Sequence, residues 1–267
     1  MRRLSHLRPI RLLSETSRTG PARAPKPGAF SLIELLAVMA VIAILSALLL
    51  PALAAAKARG KQTLCAGNLH QFGVAWQIYA NDNAGRFVEN QPASVSSNSW
   101  VRGDLTAPAQ STNLDLLRQG ELFPYLGQVN VYWCPADPSQ TDGRNRVRSY
   151  SMNGWLGSRT METCPGQSGY RTFIRESEFA TAVPAEIWVL IDEHELSIDD
   201  GWFLVTMDDS QPFVSFPATR HQNGYVWNFA DGHAVACRLR FPQAVTAKTV
   251  SAKNPDWLRL KQATTIP

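Results

Sequence analysis

The longest run of apolar positions lies near the N-terminus: of the 21 residues from Phe30 to Leu50, only Glu34 is charged. As a helix rising about 1.5 Å per residue it spans roughly 31 Å, the thickness of a bilayer's hydrocarbon core, so the pattern predicts one membrane crossing. Helix formers continue past Pro51. Leu64, Leu69, Phe72, Trp76 and Tyr79 form an apolar stripe, and Asn81-Asp82-Asn83-Ala84-Gly85 supplies a stop. One long helix over about residues 30–80 is therefore expected.

Downstream the pattern changes. A Ser-, Asn-, Pro- and Gly-rich stretch, 90–112, reads as a surface loop around a short strand at Trp100, and 113–126 reads as a short helix. Strand character follows at 129–134, 148–152, 186–192, 202–207 and 225–230. In the last, Tyr225, Trp227 and Phe229 alternate with Val226, Asn228 and Ala230, which predicts one buried aromatic face. Asp231-Gly232 suits a tight turn, and Val235, Cys237 and Leu239 begin the return strand. Residues 257–260 suggest a terminal helical turn. A long amphipathic helix followed by antiparallel strands is an α+β pattern.

A formal net charge of +4 would suggest a nucleic-acid or anionic-surface partner until the charges are placed along the chain. Residues 1–29 hold seven basic groups against Glu15, a net of +6; the remainder has 19 basic and 21 acidic residues, a net of −2. The basic excess thus argues orientation: a positive flank stays cytoplasmic and sends the C-terminal part outward, opposed only weakly by Lys57, Arg59 and Lys61. The residues past 50 suffice for one globular domain with its own core.

The segment Gly28-Ala29-Phe30-Ser31-Leu32-Ile33-Glu34, followed by the apolar helix, resembles the type IV prepilin signature of pilins and type II secretion pseudopilins. That resemblance implies cleavage by a membrane prepilin peptidase between Ala29 and Phe30, methylation of the new amine, and subunit alignment through Glu34. The sequence departs from the pattern at Ala29, where the family usually has Gly. Cutting there would place an α-amino group four residues from Glu34, on the same helix face. It would meet a carboxylate that costs a few kcal/mol inside a bilayer. A second resemblance is C-terminal: His221, nine residues, then Asp231-Gly232 is the His-x9-Asp-Gly pattern of a pseudopilin-like family. Segments 122–126, 134–137 and 148–153 are similar to that family too.

Together the resemblances imply a pilin-like α+β fold with a cytoplasmic leader (1–29, removed), a transmembrane and amphipathic spine helix (30–80) and a periplasmic or extracellular domain (81–267). They imply a structural subunit, not an enzyme, held single-pass in the inner membrane and then assembled into a pilus-like or type II secretion filament. Its partners would be the prepilin peptidase, other pilin-like subunits and an inner-membrane assembly platform. The alternative role is a membrane-tethered periplasmic module that recognises a secreted substrate, glycan or DNA.

Catalysis is not expected. A hairpin would bring His221 and Asp231 to one end of the sheet to pair, but no nucleophile elbow or oxyanion-type glycine cluster accompanies nearby Ser215. Asp192, Glu193, Asp199 and Asp200 are hard oxygen donors suited to calcium, which some pseudopilins bind in a C-terminal loop, although their spacing is not that of an EF-hand. Arg144, Arg146 and Arg148 near Tyr150 read as solvated or salt-bridged residues, so no nucleic-acid partner is expected. Four cysteines, Cys65, Cys134, Cys164 and Cys237, lack zinc-knuckle spacing. A Cys65–Cys134 bridge, closing a loop of about 70 residues, would tie the long helix to the sheet and add several kcal/mol. Buried thiols and a Cys134–Cys164 pair remain open.

Overall fold

The computed structural model describes residues 30–93, 98–164, 166–167, 169–211, 213–246 and 254–267. It shows the expected α+β arrangement, a long N-terminal helix followed by a largely antiparallel sheet. The chain divides into two compact units at Leu50 and Pro51.

Helix α1 spans Leu32–Asp82 without a break at Pro51. In the first unit its side chains are exposed throughout, and it is long and apolar enough to cross a membrane. In the second unit it presents Cys65, Leu69, Phe72, Trp76 and Ala80 to the core, at the three- and four-residue steps of one helix face. Leu64, expected on that stripe, is 62% exposed, and Cys65 takes the inward position.

Residues 113–126 form two short helices. After α2 (Pro108–Ser111) come α3 (Leu114–Arg118) and α4 (Phe123–Leu126). The Asn113 side chain caps α3 by accepting from the Asp115 N–H at 3.0 Å. Gly120 lies in the break and lets the chain pass close to Trp100, where a Cβ would stand 2.4 Å from the carbonyl oxygen. Residues 129–134 are a second correction, since Val129–Tyr132 is a 3-10 turn and not a strand. In that turn Val131 and Tyr132 both pack into the core built on α1. Trp100 belongs to no strand either; its ring stacks over Tyr132, and Phe72 meets Tyr132 edge-on.

A small hairpin, β1 (Gln140–Thr141) with β2 (Arg144–Asn145), precedes the main sheet. That sheet comprises β3 (Tyr150–Asn153), β4 (Trp188–Asp192), β5 (Trp202–Phe203), β6 (Gly224–Phe229) and β7 (Ala234–Arg238), in the order β5-β3-β4-β6-β7. Only β3 and β5 run parallel. The expected strand at 202–207 stops at Phe203 because side chains take over its backbone donors: Leu204 N–H bonds Ser215 Oγ and Met207 N–H bonds Gln167 Oε1. Helices α5 (Pro242–Thr246) and α6 (Pro255–Gln262) follow the sheet.

Both faces of β6 are buried. Tyr225, Trp227 and Phe229 join a second core with Trp257 and Leu260 of α6, while Val226 and Ala230 join the core built on α1. Between these last two, Asn228 sits fully buried under the helix. Three steps along β4 match two along β6, a bulge that displaces the Leu190 N–H from the ladder. Asn228 Oδ1 accepts from that N–H at 2.7 Å, and its Nδ2 donates to the Leu69 carbonyl of α1 at 2.9 Å. Gly73 makes the approach possible: a Cβ there would lie 3.0 Å from Asn228 Nδ2 and 3.1 Å from Gly232 Cα.

Replacing Asn228 with Leu orphans the Leu190 N–H and should lower stability by about 1–3 kcal/mol. Chemical denaturation of the detergent-solubilised protein measures this, and an unchanged midpoint would remove Asn228 from the account.

Candidate functional site

Four side chains from distant segments meet under α1. Cys65 comes from the buried face of the helix, and Cys134 follows the 3-10 turn. Asp192 ends β4, and His221 precedes β6. Their donor atoms all lie within 4.8 Å of one another, and none of the four residues is more than 3% exposed. His221 Nε2 stands 3.1 Å from Cys134 Sγ and 3.3 Å from Asp192 Oδ2. The Tyr150 hydroxyl donates to Cys65 Sγ at 3.3 Å.

Local backbone chemistry sets each donor. The Cys134 N–H bonds Ser149 Oγ, which in turn donates to Asp137 Oδ2. Gln222 and Asn223 adopt positive φ (56° and 63°), turning the chain so that the His221 N–H reaches the Gly224 carbonyl and the imidazole faces inward. Arg220, adjacent, reaches Asp137 Oδ2 at 2.8 Å and Asp192 Oδ1 at 3.1 Å, and its Nη2 donates to the Glu193 carbonyl. This guanidinium places a fixed positive charge beside the cluster. Even so, neither Asp192 oxygen receives a hydrogen bond of good geometry.

The electrostatics follow from burial and crowding. Burial pushes the Cys65 thiol well above the ordinary range. Burial alone would also raise Cys134, but hydrogen bonding with Cys65 and His221 pulls it down to about 7. Burial would lower His221, yet Asp192 and Cys134 hold it up, at about 9. Two thiols, a carboxylate and an imidazole in one dry pocket are a set able to hold a metal ion.

Several sequence expectations are corrected here. Cys65 and Cys134 do meet, tying α1 to the sheet region, but all four cysteines are free thiols. His221 and Asp231 do not pair: they flank β6 at its two ends, and Asp231 Oδ1 instead contacts His233 Nδ1 at 2.5 Å. The Asp231-Gly232 turn, with Gly232 at φ +92°, docks on α1, where His70 Nδ1 meets the Gly232 carbonyl and Gln77 Nε2 donates to that of Ala230. The four proposed calcium donors do not converge. Strand alternation sends Asp192 and Glu193 apart, and Glu193 Oε1 accepts from Ser197 Oγ. Burial pushes the Glu193 carboxyl up to about 8. The Asp199 and Asp200 carboxylates accept backbone N–H bonds from Asp200, Ala93 and Trp202. Arg148 is buried, not solvated, and donates to the carbonyls of Tyr150, Asp199 and Asp200.

Sequence reasoning missed the four-residue cluster because its donors are tens of residues apart. One signal did point to it: the family-like segments 134–137 and 148–153, together with His221, supply Cys134, Asp137, Ser149 and Tyr150 around the same point.

At the N-terminal end of α1 the Ser31 and Glu34 side chains both cap the helix start. Ser31 Oγ accepts from the Ile33 N–H at 3.3 Å, and Glu34 Oε2 accepts from the Ser31 N–H at 2.9 Å. In the uncut chain the Glu34 carboxylate therefore satisfies the helix N-terminus. Phe30 is exposed, and Ala29 lies outside the described residues.

The family model described as the prokaryotic N-terminal methylation motif matches residues 26–50. No match was found among curated proteins or among solved structures. The motif supports a type IV pilin-like precursor, processed by a prepilin peptidase and anchored in a membrane by its apolar helix.

Peptide mapping without reduction is expected to recover no peptide cross-linked through Cys65 and Cys134; finding that cross-link as the main species would contradict the free-thiol geometry.

Proposed function

We propose that the chain is a pseudopilin-like structural subunit, cut between Ala29 and Phe30 and assembled through its apolar helix into a pilus-like or type II secretion filament. The observation that carries this reading is the methylation motif at 26–50, with Phe30-Ser31-Leu32-Ile33-Glu34 at the mouth of an uninterrupted apolar helix. Cleavage converts the Ser31-to-Glu34 cap into a helix start that also bears a free α-amino group. That group neutralises Glu34, in the same subunit or in a neighbour, so the carboxylate becomes tolerable in the bilayer and selects the register of the next helix.

The leader, with its net charge of +6, holds the N-terminus in the cytoplasm and directs the folded domain to the periplasm across the inner membrane. Other pilin-like subunits and an inner-membrane assembly platform are the partners of this role. The domain is structural in it and carries no reaction. Ser215, the serine nearest His221 in sequence, accepts from the Leu204 N–H, and His221 Nε2 faces Cys134 and Asp192.

Glu34→Leu should leave membrane insertion intact while lowering filament incorporation at least about tenfold, equivalent to ~1.4 kcal/mol. Quantitative immunoblotting of sheared filaments against membranes reads both. Incorporation equal to wild type would sink the assembly role. Mass spectrometry of the mature protein should find N-methylated Phe30, and an intact 1–29 leader on assembled subunits would contradict the processing.

A further inference from the structure

We infer that Cys65, Cys134, Asp192 and His221 bind one structural Zn²⁺ ion that fastens the spine helix to the sheet. The site stands on its own geometry and is independent of the filament reading.

Four observations converge. The donor set is two sulfurs, one imidazole nitrogen and one carboxylate oxygen, each from a different element, all meeting within 4.8 Å. Four atoms bonded at about 2.0–2.3 Å to a tetrahedral zinc lie roughly 3.3–3.8 Å apart, and the 3.1 and 3.3 Å separations from His221 Nε2 already approach that spacing. Every donor residue is buried, so protein atoms would fill all four positions and leave no opening for substrate water, the arrangement of a structural and not a catalytic site. Finally, Asp192 is wholly buried, yet neither of its oxygens accepts a well-formed hydrogen bond. Its charged neighbours, Arg220 at 3.1 Å and His221 Nε2 at 3.3 Å, leave carboxylate lone pairs that a metal ion can take up.

Charge closes the argument. Two thiolates and one carboxylate carry −3, zinc brings +2, and the Arg220 guanidinium 3.1 Å from Asp192 Oδ1 offsets the remaining −1. Binding proceeds by exchange: each protonated thiol, and His221 at Nε2, gives its proton to solvent as sulfur and nitrogen bond to the metal, leaving two thiolates and a neutral imidazole. Sulfur donors and a tetrahedral arrangement favour zinc over calcium or magnesium, which require oxygen cages. Tyr150, donating to Cys65 Sγ, and Arg220, beside Asp192, orient the ligands from outside. Because Cys65 lies on α1 and the other three donors lie on the sheet side, the ion does the work assigned at first to a disulfide.

The full chain, purified in detergent without chelator or added metal, is expected to carry about one zinc ion per chain by elemental mass spectrometry. Cobalt replacement should give the intense visible bands of a tetrahedral site and thiolate-to-cobalt charge transfer. Cys134→Ser and Cys65→Ser should each reduce retained zinc at least about tenfold, whereas Cys164→Ser and Cys237→Ser, whose thiols lie outside the cluster, should retain it. If the cluster variants fail to fold, the cobalt spectrum of the wild-type protein still decides, since it reports sulfur ligation directly. Octahedral cobalt bands, a metal-free protein with Cys65 and Cys134 joined, or zinc retained in the folded Cys65→Ser variant would each overturn the assignment.

Discussion

A helix whose first half suits lipid must present a wholly different face to a protein core a few turns later, and the domain depends on how that second face is held. The contact is close and partly polar. Gly73 lets the backbone of α1 approach the β6–β7 turn, and Asn228 places both ends of its amide between the Leu69 carbonyl and the stranded Leu190 N–H. An apolar side chain at 228 would fill the space and leave the bulge unsatisfied. In the same core Phe72, Trp100 and Tyr132 form one set of ring contacts and Trp76 stacks on Phe87, so the polar contact sets the register and the aromatic burial supplies most of the energy.

This arrangement gives the His-x9-Asp-Gly pattern a physical meaning. The nine intervening residues are a strand with its two flanking turns, and each end of that strand is fixed toward α1. His221 enters the buried cluster shared with Cys65, while Asp231-Gly232 forms the tight turn that docks on His70, Gly73 and Gln77. The motif is thus a clamp on the helix and not a catalytic pair. Glycine suits 232 because φ there is +92°, a backbone conformation that side chains rarely adopt.

How much of this was legible depended on the range of the interaction. Periodicity within one segment carried α1, the 186–192 strand and the Asp231-Gly232 hairpin, since each is determined by neighbours a few residues away. It failed where distant chain decides. Residues 129–134 have strand composition, but tertiary packing wants Val131 and Tyr132 on the same side. Leu64 is the better hydrophobe, yet Cys65 faces inward because the helix phase is set by Leu69, Phe72 and Trp76. The buried cluster is the extreme case: no local spacing announces four donors that only the folded sheet assembles. At the N-terminus the reverse holds, for the apolar run, the charge pattern and the methylation motif are all local and were readable, although the Ser31–Glu34 cap emerged only from the structure.

On this geometry the second half of α1 and strand β6 make one cooperative unit, clamped at both ends. Hydrogen exchange followed by mass spectrometry on the detergent-solubilised protein tests it most directly, because amides that open together share one opening free energy. The amides of 65–80 and of 224–229 should exchange slowest in the domain and speed up together as denaturant is raised. Exchange of the helix at its own, much faster rate while the sheet remains protected would contradict the account.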